Sequence, residues 1–244
     1  MVRQPLTSMS LTEGVAEHIR AMIHRGELGP GDRLPPEREL AEELGVARAS
    51  LREAIKSLQS RGYVEVRRGA HGGTFVTELS RPFRDWRQQV RKQRGEIDEI
   101  IDFRIALEQH AARLAATRRT RPDLTEMRAA IDSMADSDSR ATFRLADSRF
   151  HSAVARAARN TRLEAGIDQA RGALFSPHDL LEYVEPVEES VRDHRGVYEA
   201  IRAKDADAAA CLMAAHIDRT REQLRVIVLQ DGKTKTGQRG STRP

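Results

Sequence analysis

The stretch at residues 34–76, LPPERELAEELGVARASLREAIKSLQSRGYVEVRRGAHGGTFV, leaves few folds open to the chain around it. Leu40, Ala41 and Leu44 give a short helix an apolar face, and Gly45 follows where a helix ends in a turn. In the next helix Leu51, Ala54, Ile55 and Leu58 recur at the i, i+3, i+4, i+7 spacing of a buried face. Arg48, Arg52 and Lys56 therefore project outward as one basic stripe. After Gly62 the period changes to alternation through Tyr63, Val64, Glu65 and Val66, and RRGAHGG makes a Gly-rich tip before Thr74, Phe75 and Val76. Helix, turn, helix and hairpin in this order form a winged helix-turn-helix. Its second helix suits the DNA major groove, and a basic hairpin tip suits the minor groove or the backbone.

A solvated charged face on an ordinary packing unit is the competing reading, and net charge does not dismiss it. Residues 1–78 hold 11 Lys and Arg against 11 Asp and Glu. Placement separates the two readings. Residues 11–45 carry four basic and eight acidic groups, whereas residues 46–68 carry six basic (Arg48, Arg52, Lys56, Arg61, Arg67, Arg68) and two acidic. Charge sorted in this way makes a one-sided field suited to phosphate.

Upstream, residues 1–10 read as a flexible arm, and Val15, Ile19, Met22 and Ile23 line one face of a helix at 11–24 that completes a three-helix unit. GELGPGDRLPP is the loop that follows. Residues 79–95, with six basic residues and one acidic, read as a solvated basic linker in which Phe83 and Trp86 are spaced to dock on a neighbouring domain. With 244 residues, 39% of them hydrophobic, the chain has material for real cores, and abundant Ala, Leu, Arg and Glu favour helices. The absence of a long apolar run argues against a membrane span or signal peptide, so a cytoplasmic protein is expected. Cys211 is alone, which excludes an intrachain disulfide and a cysteine-based metal site; a small core residue is expected there.

From residue 96 to 230 the pattern is helical, with 20 basic and 24 acidic residues, so this half is not a nucleic-acid surface. Helices are predicted near 97–118, 123–134, 140–158, 160–175, 187–203 and 205–230, an antiparallel bundle with breaks at RPDL, DSDS, RNT, SPHD and the EP pair. The polar tail at 231–244 reads as disordered. Fold class is therefore mainly α, an N-terminal winged helix-turn-helix domain at 11–78 and a C-terminal all-helical antiparallel bundle at 96–230.

Asp147 and His151 stand i, i+4 on one predicted helix, and His194 and His216 take inward positions on two others, His216 between Leu212, Met213 and Leu224. Three imidazoles and a carboxylate suit a divalent ion such as zinc, nickel or manganese. Hydrogen-bonded core histidines are the competing reading, and spacing alone leaves the two about even.

Motifs in both halves carry a family resemblance. LPPERELAEELGV, the REA of the second helix, L-x-x-x-G-Y and the hairpin resemble the DNA-binding domain of the GntR family of bacterial transcription regulators. That resemblance implies DNA contacts at Arg38, Arg48, Arg52, Arg68 and Gly69; Lys56, from the basic stripe, and Ala49, on the same helix, are expected to join them. Here Ala47 stands where the family often has a capping Ser, and Ala49 and Ser50 replace its common Thr-Pro. DSRFH, DHRGVYEAI with KDADAA, and AAHI resemble the FCD ligand-binding domain of the family's FadR branch, which implies a divalent metal on Asp147, His151, His194 and His216, zinc first among the candidates. Arg104, in RIALE, is implied as a grip for an effector carboxylate, with a pair to Glu108 as its competing role. Asn160 caps the next helix or faces the pocket.

The expected protein is a homodimeric repressor on a palindromic double-stranded DNA operator, responsive to a small carboxylate metabolite. A metal-dependent, hydrolase-like enzyme is the alternative in another class, but HExxH, nucleophile-elbow, P-loop and dinucleotide motifs are all lacking. A regulator that senses the metal itself is the third reading.

Overall fold

Ser10 starts the first ordered helix. Its side chain accepts from the Glu13 N–H at 3.2 Å while the Glu13 carboxylate receives the Ser10 N–H at 2.8 Å, a capping box that opens α1 (Leu11–His24). The computed structural model describes residues 10–69, 72–92, 95–174 and 187–229. The expected arm before residue 10, the SPHD and EP breaks and the tail lie outside these residues.

Helix α2 (Glu37–Glu43) and α3 (Arg48–Ser60) are joined through Gly45, whose φ of 64° is the left-handed conformation that glycine takes without steric cost. The predicted faces are buried: Leu40 and Ala41 on α2, and Leu51, Ala54, Ile55 and Leu58 on α3, which packs on α1. Strands β1 (Val64–Arg67) and β2 (Gly73–Val76) pair antiparallel with Val64 opposite Val76. The loop after α1 completes the wing by pairing with β2, through Leu34 N–H to Thr74 O and Val76 N–H to Asp32 O, both 2.9 Å.

The segment expected as a solvated linker is helix α4 (Ser80–Lys92). Phe83 and Trp86 stack at 6.0 Å between ring centroids and are buried with Leu79, so the segment is seated by apolar contact while Arg81, Arg84 and Asp85 stay exposed. Helices α5 (Glu96–Arg118), α6 (Arg121–Ala135), α7 (Arg140–Ala157), α8 (Thr161–Ala173), α9 (Val187–Ala203) and α10 (Ala206–Leu229) form the bundle. Its centre is α5, which packs on α7, α8, α9 and α10, and α6 closes on α7 and α9. Thr120, Ser139 and Asn160 cap α6, α7 and α8, which explains the predicted breaks; α6 starts two residues earlier than expected because Pro122 is tolerated in a first turn. No described helix is long and apolar enough to cross a membrane.

Two apolar expectations on α10 are corrected. Cys211 is exposed, and Leu212 is 41% exposed. The helical period carries Ala209, Met213 and Ile217 onto the bundle and turns positions 211 and 212 outward.

Helix α1 also packs on α8. His24 is buried between them, with Nδ1 2.8 Å from Gly172 O and Nε2 3.0 Å from the Tyr63 hydroxyl. Because a carbonyl only accepts, Nδ1 carries the proton and Nε2 accepts from tyrosine. A Cβ added to Gly172 would lie 2.6 Å from Ala21 Cβ. Gly172→Ala is thus expected to lower stability by about 1–3 kcal/mol through overpacking, read as a fall in melting temperature. An unchanged melting temperature would mean that α1 is not seated on α8.

Candidate metal centre and nucleic-acid interface

Three helices bring four donors together. Asp147 and His151 lie one turn apart on α7, His194 is on α9 and His216 on α10, and each offers a ligand atom within 4.8 Å of the others. All three histidines are buried, at 2%, 0% and 8% exposure. Ring centroids stand 4.3 Å apart for His194 and His216, and 5.4 Å for His151 with either.

The outer nitrogens of these rings are held from behind. His151 Nδ1 is 2.5 Å from Glu108 Oε2, His194 Nδ1 is 2.7 Å from Ser190 O, and His216 Nδ1 is 3.5 Å from Asp193 Oδ2. Carboxylate and carbonyl oxygens accept, so the Nδ1 atoms carry protons and the Nε2 lone pairs are left for the interior. His151 Nε2 and His194 Nε2 are buried with no hydrogen-bond partner, 3.7 and 3.3 Å from Asp147 Oδ1. A buried polar atom without a partner costs roughly 1–3 kcal/mol, so two aimed at one carboxylate oxygen are a donor set fitted to a cation.

Charge around the cluster keeps it in the ligating protonation state. Burial pushes His151 down to about 3, aided by Arg171, and pushes His216 down to about 4, aided by His194, so both rings are neutral. Burial opposes the Asp147 carboxylate, yet the Arg171 guanidinium holds it well below the usual carboxylate range. Glu108 is likewise kept ionised against burial by Arg104, His151 and Arg171.

A cavity of about 510 Å³ of empty space, its open mouth included, lies against Asp147, His151 and His216 and is lined by Arg25, Arg104, Arg144, Arg171 and Thr220 as well. Arg104 reaches this wall and also binds Glu108, with Nε to Oε1 at 2.9 Å, so both roles weighed for it meet in one place. Asn160 does not join the site. It is exposed and accepts from the Leu163 N–H at 3.1 Å as the cap of α8. Arg171 was missed by the sequence reading: its Nη2 donates to Asp147 Oδ2 at 2.8 Å, a contact across helices that leaves no periodic signal.

On the winged unit Arg48, Ala49, Arg52 and Lys56 are exposed along α3, and Arg68 and Gly69 are exposed where the hairpin turns. Internal pairs already engage several of the basic groups: Arg52 with Glu37 at 2.7 Å, Lys56 with Glu53 at 2.7 Å, and Arg38 on α2 with Glu42 at 3.2 Å. Arg48 and Arg68 have no such pair among the described residues. Ala47, at the N-cap of α3, makes no side-chain cap.

Comparison with known proteins agrees with both halves. Residues 11–76 match the family described as "Bacterial regulatory proteins, gntR family", and residues 99–219 match the FCD domain. The "Uxu operon transcriptional regulator" of Escherichia coli K12 is 33% identical over 221 residues, covering 86% of this chain and 85% of its own. The chain belongs to the GntR family. It is a member of the FadR-type branch, with a GntR helix-turn-helix followed by an FCD domain, and the family consists of transcription regulators rather than enzymes. A second relative, the "Putative L-lactate dehydrogenase operon regulatory protein" of Escherichia coli K12, is 32% identical over 226 residues, with 85% and 83% coverage. The solved structure of E. coli McbR/YncC, 24% identical and covering 89% of this GntR chain and 98% of its own, superposes with a TM-score of 0.53 and shares the fold.

The buried histidines set the pH response of the metal-free regulator. His24, pushed well below the free imidazole value by burial and by Arg20, acts with His151 and His216. Each binds its proton more readily unfolded, near pH 6.5, than folded, so stability is full above about 6.5 and is lost as pH falls toward the folded values. His151 alone is expected to cost on the order of 2 kcal/mol at pH 5. Chelator-treated protein should therefore melt lower at pH 5 than at pH 7.5, and a flat profile would contradict the burial of neutral rings.

Proposed function

We propose that this GntR regulator is a dimeric repressor whose winged units hold a palindromic operator and whose bundle releases it on binding a small carboxylate. Asp147, His151, His194 and His216 hold a divalent ion, zinc in the first instance. The observation that carries this reading is the pair of orphaned Nε2 atoms aimed at Asp147 beside a cavity walled with arginine. Such an ion would supply a Lewis-acidic site for an effector oxygen. Arg104 and Arg171 balance Asp147 and Glu108, and so keep the carboxylates ionised and the imidazoles oriented. One relative carries the name of an L-lactate dehydrogenase operon, and lactate is a small carboxylate, which supports that effector class.

On DNA, Arg48 reads bases, because it is exposed near the start of α3 and free of internal pairs. Arg38 and Arg52 reach DNA by opening exposed pairs that solvent already weakens, Lys56 and Arg68 contact backbone, and Ala49 and Gly69 let the chain approach closely.

The deciding experiment is a thermal-shift screen of small carboxylic acids on zinc-loaded protein, repeated after chelation and with His151→Ala. A compound at a hundredfold its Kd should stabilise zinc-loaded wild type by roughly 2.7 kcal/mol and neither of the others. Equal shifts with and without zinc would remove the ion from the effector site, and a response to zinc alone with no acid would favour a metal sensor. For the operator, Arg48→Ala is expected to cost ~1–3 kcal/mol on specific DNA and little on random DNA, whereas Lys56→Ala weakens both and lowers the salt slope by about 1. Equal losses from Arg48→Ala on both DNAs would take base reading away from it.

A further inference from the structure

The effector cavity carries more positive charge than its buried carboxylates neutralise. Its wall takes Arg104 from α5, Arg144 from α7, Arg171 from α8 and Arg25 from the C-cap of α1. Two buried carboxylates, Asp147 and Glu108, stand against these four guanidiniums, and they answer Arg171 and Arg104. Glu27 answers Arg25 at 2.7 Å, so the wall has a surplus of one positive charge before any metal ion is counted.

Arg144 holds that surplus, and Arg25 stands with it on the cavity wall. Arg144 lies three residues before Asp147 on α7, which puts it one turn away along the same side of the helix. It is half-buried on the cavity wall and makes no hydrogen bond or ion pair among the described residues. Arg25 is held for now outside the cavity's chemistry: Nε and Nη2 reach Glu27 at 2.7 and 3.3 Å, and Nη1 donates to Asp168 O at 3.1 Å. Glu27 is itself 31% exposed, so water can replace it as partner. A planar guanidinium with free N–H groups in a recess is built to take a carboxylate in two parallel bonds.

We propose that Arg144 and Arg25 form a second anion subsite, so that the effector is a compact dicarboxylate whose far acid group touches the winged unit directly. This inference rests on the effector reading above and narrows its class. One acid group sits at Asp147 and the histidines, and the other is gripped by Arg144 with Arg25. Because Arg25 follows His24 at the end of α1, a ligand spanning the cavity bears on the same turn that fastens α1 to Gly172 and Tyr63. Signal passes to the DNA-binding unit through that turn, without a relay across the bundle.

The test is isothermal titration calorimetry on full-length, zinc-loaded protein with matched acids: malate against lactate, succinate against propionate, galactarate against galactonate. Wild type should bind the diacid at least tenfold more tightly in one or more pairs. Arg144→Gln should erase that margin while leaving the monoacid Kd and the zinc content unchanged. Since Arg25→Gln disturbs the seat of α1, Glu27→Gln is the second variant; it frees Arg25 and should tighten the diacid several-fold with the monoacid unaltered. Equal binding of both members of every pair overturns the second subsite and leaves the carboxylate reading standing, as does an Arg144→Gln variant that weakens both acids alike. Failure of every acid, mono and di, on zinc-loaded protein overturns the carboxylate reading and the subsite with it.

Discussion

Four charged side chains sit inside the bundle, and each is tolerated only because an opposite charge lies within 4 Å. Glu108 stands between Arg104 and Arg171, and Asp147 is bound by Arg171. Removing one member leaves a buried charge uncompensated, typically at a cost of 3–5 kcal/mol. The histidine geometry depends on the same network, since Glu108 holds His151 by Nδ1 and thereby aims Nε2 inward. Charge balance and donor orientation are thus one constraint, satisfied by residues from α5, α7 and α8 together.

Helix α8 gives that constraint its reach. Arg171 faces the bundle interior and binds Asp147, and its neighbour Gly172 receives α1 through His24 and leaves room for Ala21. Adjacent residues of one helical turn therefore serve the donor cluster and the docking of the winged unit. An α-helix is stiff over such a distance, so displacement of the Arg171 side chain's partners and displacement of α1 draw on the same last turn.

Much of this was legible in the chain. The helical period located the buried faces of α1, α2 and α3, and alternation after Gly62 located the hairpin, because those signals are local and repeat. Asp147 with His151 was visible as an i, i+4 pair, and the inward placement of His194 and His216 followed from apolar neighbours. Contacts between helices have no such signature. Arg171 meets Asp147 across 24 residues, and His24 meets Gly172 across 148, so neither announced itself. The helical nature of 80–92 was hidden by its charge, since two aromatic residues suffice to seat it. Asn160, read as either cap or pocket residue, is a cap because Asn before a helix competes for the first free N–H groups.

The proposed arrangement also fixes what DNA must do to the effector. If the acid bears on the turn that seats α1, its affinity depends on where the winged unit lies, and an operator that holds that unit in one place changes acid affinity by the same factor by which the acid changes operator affinity. A ligand shifts the equilibrium only by its differential affinity for the two arrangements, so most of the acid's binding energy, spent on the bundle's own arginines and histidines, is the same in both and contributes nothing to release. Only the part made through Arg25 distinguishes them. Affinity and signalling are therefore assigned to different walls of one cavity: the bundle holds the effector, and α1 senses it.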